Sequence, residues 1–292
     1  MRKYNEIIMK YVFMISAMTS ILAVVLICFF LFVNGIPAIK EVGIFDFLLG
    51  TKWAPTDIPA TYGIFPMIIG SIYITVGASI IGVPIGILTA VFLAKNCPKI
   101  IYKYIKPAID LLAGIPSVVY GFFGMVTIVP FIRNYIGGNG SSILSASIVL
   151  GIMILPTIIA VSESAIRAVP EELYEGAIAL GASHERSLYA VVLPAAKSGI
   201  LAAIILGIGR AIGETMAVIM VAGNQAILRN PSEVLKGVRT LTANIVLEMG
   251  YAAELHREVL IASGVVLFIF ILIINLLLKC FTNLNIYCDK CI

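Results

Sequence analysis

Residues 142–163 read SILSASIVLGIMILPTIIAVSE, and this stretch decides the fold class. It carries no charged side chain before Glu163, and it is long enough to cross the hydrocarbon core of a bilayer. A backbone surrounded by lipid must satisfy its hydrogen bonds within its own segment, so a single span of this kind forms a helix. The rest of the chain is similar, since only 12% of its residues are charged, against about 25% in a soluble domain. We therefore predict an all-α polytopic membrane protein.

Five other apolar runs resemble this one, and each is bounded by charged residues or turn residues. Together they predict six transmembrane helices, near residues 11–33, 65–94, 107–132, 142–163, 198–223 and 259–279. The first run exceeds the ~7–15 residues of a signal-peptide core, so we expect it to be retained as a span. The chain thus divides into a first helix with an outer loop, a helical core and a cytoplasmic tail, at residues 1–64, 65–280 and 281–292.

Glycine and proline residues are predicted to interrupt several of these helices. Gly82–Gly86 is expected to interrupt the second span, Gly114–Pro116 the third and Pro156 the fourth. A helix bundle tolerates such breaks where neighbouring helices or a cavity satisfy the freed carbonyls. Three breaks in consecutive spans favour a bundle that moves and lines a cavity.

The Lys and Arg residues outside the spans are distributed unevenly between the two faces of the membrane. Twelve lie on the face that holds both termini, and seven lie on the other. Basic loops remain in the cytoplasm, so both termini are predicted to be cytoplasmic in a multi-pass cell-membrane protein. The net charge of +4 is explained by these loops, and it indicates no nucleic-acid partner.

The sequence does not favour a metal or a cofactor. Cys288 and Cys291 form an isolated CxxC in the tail, which we interpret as a pair of reduced cytosolic thiols. His184 and His256 fall on opposite faces of the membrane in this topology, so they cannot share a metal ion. The sequence also contains no nucleophile–base arrangement, which disfavours a membrane enzyme.

Three other conspicuous side chains are assigned structural roles. Trp53, in the first outer loop, is expected to anchor the chain at the membrane–water interface. Glu163 and Arg167, four residues apart at the end of a span, are interpreted as an ordinary helix pair.

The segment between the fourth and fifth spans, residues 169–194, is the most informative part of the chain, and we call it the signature loop. Pro170 and the two acidic residues after it favour the start of a helix. Gly181 suits the turn that ends this helix, and Ser183 can cap a second one. The loop is therefore predicted to be a short helix, a tight glycine turn and another short helix on the inner membrane face.

The spacing inside the signature loop resembles the motif of ABC importer permeases. That motif is Glu-Ala-Ala, three residues, Gly, nine residues and Ile-x-Leu-Pro, and this chain has Gly176 for an alanine and Val191 for the isoleucine. The resemblance implies that the loop docks on an ATP-binding subunit and transmits its closure to the spans. The residues to which it assigns ATPase coupling are Glu175, Gly176, Ala177, Gly181, Leu193 and Pro194. The alternative is an ordinary amphipathic surface helix.

Two charged residues, Arg210 and Glu214, lie near the middle of the predicted fifth span. A charge at this depth costs about 2.5–3.5 kcal/mol, so such residues usually face a cavity or a partner. Four residues apart in a helix, they are expected on one face. A guanidinium offers a planar fork to an oxyanion, and a neighbouring carboxylate suits an anion that keeps protons, as phosphate does and sulfate does not. We predict a substrate path here, with a structural salt bridge as the alternative. Gly209 and Gly213 are interpreted as a helix-contact face.

Two stretches, Gly209–Ala217 and Leu112–Gly121, resemble the phosphate (Pst) family of ABC importer permeases. The outer loop around Trp53 favours the PstC branch of that family over the PstA branch. The resemblance implies that residues 65–280 form an ABC transmembrane type-1 permease core and half of a translocation path for inorganic phosphate.

The same resemblance implies the partners of the chain. They are a pair of ATP-binding subunits, a second PstA-like permease subunit and an extracytoplasmic phosphate-binding protein, all at the lipid bilayer. The chain has no GxxxxGK[ST] loop, so it is predicted not to be an enzyme and to leave ATP hydrolysis to a separate subunit. One alternative is a permease subunit for sulfate, molybdate or phosphonate. Another is an ion-coupled secondary transporter, which would show inverted repeats and need no ATPase-docking loop.

Overall fold

The computed structural model describes the backbone of residues 2–288 and the side chains of residues 8–277. Its helices are α1 (Arg2–Val42), α2 (Ile44–Leu49), α3 (Phe65–Val91), α4 (Lys99–Gly114), α5 (Ser117–Phe123), α6 (Val129–Tyr135), α7 (Ile143–Arg167), α8 (Glu171–Ala179), α9 (His184–Ser187), α10 (Leu193–Ala195), α11 (Lys197–Gly213), α12 (Met216–Val221), α13 (Leu241–Glu248) and α14 (Glu254–Cys288). Its π-helical turns are Phe92–Asn96, Gly124–Ile128 and Leu188–Val192. Strands β1 (Trp53–Ala54) and β2 (Thr61–Tyr62) pair antiparallel. The predicted helical architecture is confirmed, and the predicted Cys288–Cys291 pair reaches outside the described residues.

The predicted number of spans agrees with the structure when a bent helix pair is counted as one span. Within the described residues, the helices long and apolar enough to cross a membrane are Ile8–Val42, Phe65–Asn96, Ser117–Tyr135, Ile143–Arg167 and Glu254–Leu277. The bent pair consists of His184–Ala195 and Lys197–Gly213, which meet at 68°. It connects the signature loop to the fifth span, so a sharp change of direction separates the loop from the membrane helix.

The third span begins later than the sequence predicts. Residues 107–114 belong to α4, and the backbone of Ile115 is extended, with φ −70° and ψ 128°. A proline disfavours helical geometry in the residue before it, so Pro116 separates α4 from α5. The predicted break at Gly114–Pro116 is therefore present, but it lies between two helices rather than inside a span.

The second and fourth spans, α3 and α7, pack along each other without a break. α3 runs continuously through Pro84 and α7 through Pro156, so the interruptions predicted at these two positions are wrong. A Cβ atom on Gly82 would lie 2.8 Å from the Ile154 side chain, and one on Gly86 would lie 2.8 Å from Ile158. The glycines therefore allow close helix packing, which is a common role for small residues between membrane helices.

The first helix lies at the periphery of the bundle. α1 packs along α14, where the rings of Phe32 and Phe268 meet edge to face with centroids 6.2 Å apart. The side chains of residues 8–27 are exposed in this chain. A helix that is apolar and exposed in this way is suited to lipid or to a partner helix.

A buried carboxylate, Glu248 at the end of α13, holds together the loops at the predicted outer end of the bundle. It accepts hydrogen bonds from the Trp53 indole at 2.9 Å and from Arg239, and His256 Nε2 lies 2.9 Å from it. Trp53 is only 9% exposed. The prediction that Trp53 anchors the chain at the membrane interface is therefore wrong, because the buried indole N–H has found a partner inside the protein.

Candidate functional site

The backbone of the signature loop has the helix–turn–helix geometry that the sequence predicts. α8 ends at Ala179 with Leu180 as its C-cap, and Gly181 follows with φ +87°, a left-handed conformation that favours glycine. Gly181 N donates to Ile178 O at 2.9 Å and Ala182 N donates to Ala177 O at 3.1 Å, which is the pair of bonds of a Schellman motif. These bonds fix the direction in which the chain leaves α8.

The second helix of the loop is short and is anchored at both of its ends. The Ser183 hydroxyl accepts a hydrogen bond from Arg186 N at 3.3 Å, so it caps α9 as predicted. α9 continues into the π-helical turn at residues 188–192, in which Leu188 and Val192 are buried. They pack against the ends of α3 and α7, and this packing holds the loop on the spans.

α8 itself has no buried residue. Leu173 and Ile178 are exposed, and Leu180 is 92% exposed. Large apolar side chains held on a rigid, solvent-facing helix are typical of a surface that a partner covers. Of the coupling residues predicted from the sequence, Glu175, Gly176 and Gly181 lie on this exposed surface, whereas Leu193 is partly buried against the spans.

A series of side-chain contacts that the sequence did not predict joins the signature loop to the end of the second span. The Tyr174 hydroxyl lies 2.7 Å from His184 Nδ1, and His184 Nε2 lies 3.4 Å from Asn96 Oδ1. Lys95 sits 5.5 Å from the centre of the Tyr174 ring and 3.8 Å from the Glu171 carboxylate. Movement of α8 can therefore reach the second span directly, in addition to the spans that the loop connects.

Glu163 forms the helix pair with Arg167 that the sequence predicts, and it is in addition a buried junction. Its side chain is 3% exposed, and it accepts bonds from Arg167 and Tyr102 at 2.8 Å and pairs with Lys106 at 3.1 Å. Arg167 also donates to Leu93 O at 2.8 Å. Burial works to lower the pKa of Lys106, but the hydrogen bonds and charges of Glu163 and Asp110 together outweigh burial and raise it. The junction ties α3, α4 and α7 together beside the signature loop.

Arg210 and Glu214 do not share a helix face, so that prediction is wrong. α11 ends at Gly213, and Glu214 is extended with φ −73° and ψ 132°. The reason is local: a carboxylate oxygen of Glu214 accepts a hydrogen bond from Ala217 N at 3.2 Å, in the first turn of α12. Among the described residues, no ion pair joins Arg210 to Glu214, and the guanidinium instead donates to Thr157 Oγ1 at 3.2 Å.

The resulting gap between α11 and α12, at Glu214–Thr215, lies where the sequence predicts the middle of the fifth span, and it is called the mid-membrane break. A carbonyl freed by this break has a polar partner, because Thr242 Oγ1 donates a hydrogen bond to Glu214 O at 3.1 Å. A Cβ atom on Gly209 or Gly213 would have no neighbour within 4 Å, so this face of α11 is open in the single chain. Non-helical backbone at membrane depth is tolerated where it is covered by protein or lines a cavity.

Thr157 and Thr242 are the polar residues at this position that the sequence analysis missed. Thr157 comes directly after Pro156 in the central, apolar part of its span, and a hydroxyl beside that proline was the available signal. Thr242 lies outside the predicted spans, so only the three-dimensional fold places it beside Glu214.

Comparison with known proteins identifies the class of this arrangement. Residues 82–285 match the model of the family described as binding-protein-dependent transport system inner membrane component. The probable ABC transporter permease protein YqgH of Bacillus subtilis is 39% identical over 94% of this chain and 92% of its own length. The phosphate transport system permease protein PstC of Xylella fastidiosa is 36% identical over 81% of this chain and 78% of its own.

Solved structures support the same fold. A bacterial alginate ABC transporter in complex with an alginate pentasaccharide-bound periplasmic protein matches with a TM-score of 0.63. The match covers 95% of this chain and 96% of that one at 16% identity. An inward-facing MetNI methionine ABC transporter matches with a TM-score of 0.59, covering 74% of this chain and 93% of its own at 20% identity.

Proposed function

We propose a role in phosphate import for this chain, which belongs to the family of binding-protein-dependent transport system inner membrane components. It is a permease subunit of an ABC importer, and ATP hydrolysis belongs to a separate subunit. Relatives that are 31–36% identical over most of the chain are named as phosphate permeases, and this likeness is the observation on which the substrate rests.

The mid-membrane break supplies chemistry that suits this substrate. Arg210 directs one guanidinium nitrogen at Thr157, and its other N–H groups can bind an oxyanion as a planar fork. Glu214 uses one carboxylate oxygen to cap α12, so the other can accept a hydrogen bond that a protonated oxygen of phosphate donates. We propose that Arg210 and Glu214 contact the passing phosphate. This contact would favour phosphate over sulfate, because sulfate carries no proton to donate to the Glu214 carboxylate.

The exposed surfaces support the proposed partners. The rigid apolar face of α8 suits a groove on an ATP-binding subunit. One such subunit would lie beneath each of the two permease subunits. The open face of α11 at Gly209 and Gly213 fits a second, PstA-like permease subunit that would close the path around Arg210. An extracytoplasmic phosphate-binding protein would deliver the anion at the opposite end of the bundle.

ATP-driven uptake of radiolabelled phosphate tests the proposed function. The importer, assembled with its ATPase pair, second permease and binding protein in proteoliposomes, is expected to accumulate phosphate only when ATP is supplied at the ATPase face. A tenfold excess of unlabelled sulfate, molybdate or methylphosphonate is expected to leave this uptake unchanged. Accumulation of one of those anions in place of phosphate, or uptake driven by an ion gradient without ATP, would contradict the proposal.

Selective labelling tests the proposed orientation, in which both termini are cytoplasmic. Lys103 on α4 and Thr56 between the two strands are both exposed, and they lie on opposite faces in this topology. In a background without native cysteines, a Thr56→Cys thiol is expected to react with an impermeant reagent added outside cells, and a Lys103→Cys thiol only after permeabilisation. Labelling of the Lys103→Cys thiol in intact cells would overturn the orientation.

A further inference from the structure

A polar cavity of about 520 Å³ lies between two loops at the predicted outer end of the bundle. One loop follows α6 and the other follows α12. Its polar lining includes Asn139, Ser141, Arg229 and Lys236, and neither Arg210 nor the signature loop contributes to it. The proposed function does not use this cavity.

Backbone hydrogen bonds hold the two loops in fixed positions around the cavity. Ser142 N donates to Val221 O at 3.0 Å, and Ile143 N donates to Lys236 O at 3.1 Å. The Tyr73 hydroxyl on α3 also donates to Arg229 O at 3.3 Å. Because both walls are tied to the ends of membrane helices, the cavity is already formed in the single chain.

The Arg229 guanidinium is oriented within the cavity but is not saturated. Its Nε donates to Gly237 O at 3.3 Å, and its Nη2 donates to Gln225 Oε1. A guanidinium has five N–H donors, so these bonds leave three. Among the described residues, no carboxylate lies within ion-pair distance of Arg229. Glu233 interacts with Arg229 only at longer range, through their opposite charges. A held guanidinium with free donors and no carboxylate in direct contact can bind an oxyanion.

The other lining groups add donors and positive charge. The Asn139 amide and the Ser141 hydroxyl have no side-chain hydrogen bond within the described structure, so both are available to a ligand. Lys236 pairs with Glu233, whose carboxylate lies outside the lining, and Arg133 stands behind the cavity with its Nε on Asn139 O at 3.0 Å. Two basic side chains, Arg229 and Lys236, thus line the cavity, and a third, Arg133, is bonded to the backbone of its wall, against one nearby carboxylate.

We propose that this outer cavity binds a phosphate-type oxyanion, with Arg229, Ser141 and Asn139 as donors and Lys236 at the rim. The proposal rests on the proposed function in one respect: in a phosphate importer such a site would hold the anion at the outer face before it reaches Arg210. The same chemistry can be supplied by free inorganic phosphate or by the phosphate group of an anionic lipid, and the experiment separates these sources.

Reaction rates of an engineered thiol report on the charge and occupancy of the cavity. A Ser141→Cys thiol is introduced into the otherwise cysteine-free importer, assembled in phosphatidylcholine nanodiscs. Its rates with anionic and cationic methanethiosulfonates are compared with those of a Thr56→Cys thiol, which is exposed on the same face away from the cavity. We expect the anionic-to-cationic ratio to be about fivefold higher for Ser141→Cys, because nearby positive charges attract anions.

Charge removal and ligand protection complete the test. Arg229→Gln and Lys236→Gln are each expected to reduce the rate ratio. Lys236→Gln removes only the exposed ion pair with Glu233, so the contacts that Arg229 makes with its loop are kept. Millimolar inorganic phosphate is expected to slow alkylation of the Ser141→Cys thiol by a neutral reagent, without affecting Thr56→Cys. Slow alkylation that instead requires phosphatidylglycerol in the nanodisc would identify the lipid phosphate as the ligand.

Equal rate ratios at the two thiols, together with no protection by phosphate or by anionic lipid, would overturn the proposal. The labelling needs no transport, so its failure is distinguishable from failure of the proposed function. An importer that accumulates phosphate but shows no charge preference at the Ser141→Cys thiol would disprove the outer site alone.

Discussion

Gly181→Val is expected to abolish phosphate uptake and substrate-stimulated ATP hydrolysis together, while the protein still inserts into the membrane. Gly181 has φ +87°, and a Cβ atom there would meet nothing within 4 Å, so the penalty is purely conformational. A β-branched residue in the left-handed region costs about 1–3 kcal/mol, enough to shift the turn out of its native geometry. The orientation of α8 relative to α9 would then change, and the movement of the ATPase would no longer be transmitted to the spans.

Gly176→Ala is the matched control for this experiment. Gly176 lies on the same exposed helix, and a Cβ atom there also has no neighbour within 4 Å, but its backbone is helical. Alanine favours a helix over glycine by about 1 kcal/mol, and it restores the residue of the permease motif. We expect normal uptake and normal ATPase stimulation. Normal ATPase stimulation in Gly181→Val, or an equal loss in both variants, would contradict a role for the turn geometry in coupling.

The parts of the structure that the sequence predicts well are those set by local physics. Long apolar runs predict membrane helices because lipid leaves the backbone no other partner. The signature loop was predicted through Gly181 and Ser183, whose conformational and capping preferences act within a few residues. Pro116 likewise ends a helix at the position that the sequence predicts, because a proline restricts the backbone of the residue directly before it.

The errors arise where tertiary contacts decide the outcome. Pro84 does not interrupt α3, because the adjacent glycines pack against α7 and the bundle supports a continuous helix. Trp53 is buried because Glu248, 195 positions later, accepts its N–H. Glu163 gathers partners from α4 as well as from its own helix. No local pattern contains these distant partners, so a single sequence gives no means of placing them.

The mid-membrane break shows the same limit at the candidate site. The sequence marks Arg210 and Glu214 as costly charges in a span, but it predicts one continuous helix and therefore one shared face, whereas α11 ends at Gly213. Capping of α12 by the Glu214 carboxylate separates them, and Arg210 turns to Thr157. This geometry weakens the alternative that the two form a structural salt bridge, since each already has its own neutral partner.

Arg210→Leu is expected to lower phosphate uptake by roughly ten- to a hundredfold, which corresponds to the 1.5–3 kcal/mol of a hydrogen bond to a charged group. If Arg210 contacts the anion, the double variant Arg210→Leu/Glu214→Leu is expected to take up phosphate as slowly as Arg210→Leu. Exchanging the two side chains is not expected to restore uptake. Arg210→Lys keeps the charge without the planar fork, so it is expected to retain partial uptake. Glu214→Gln keeps an oxygen for Ala217 N, which separates capping from charge.

The measurement is radiolabelled phosphate uptake in vesicles, normalised to the amount of assembled complex in the membrane. A structural salt bridge predicts a different result, because removing one partner strands a charge and removing both relieves it. Near-normal uptake by the double leucine variant would therefore show that Arg210 and Glu214 only support the bundle. Loss of uptake in Arg210→Leu and in the double variant, with normal assembly of both, is what contact with the passing anion requires.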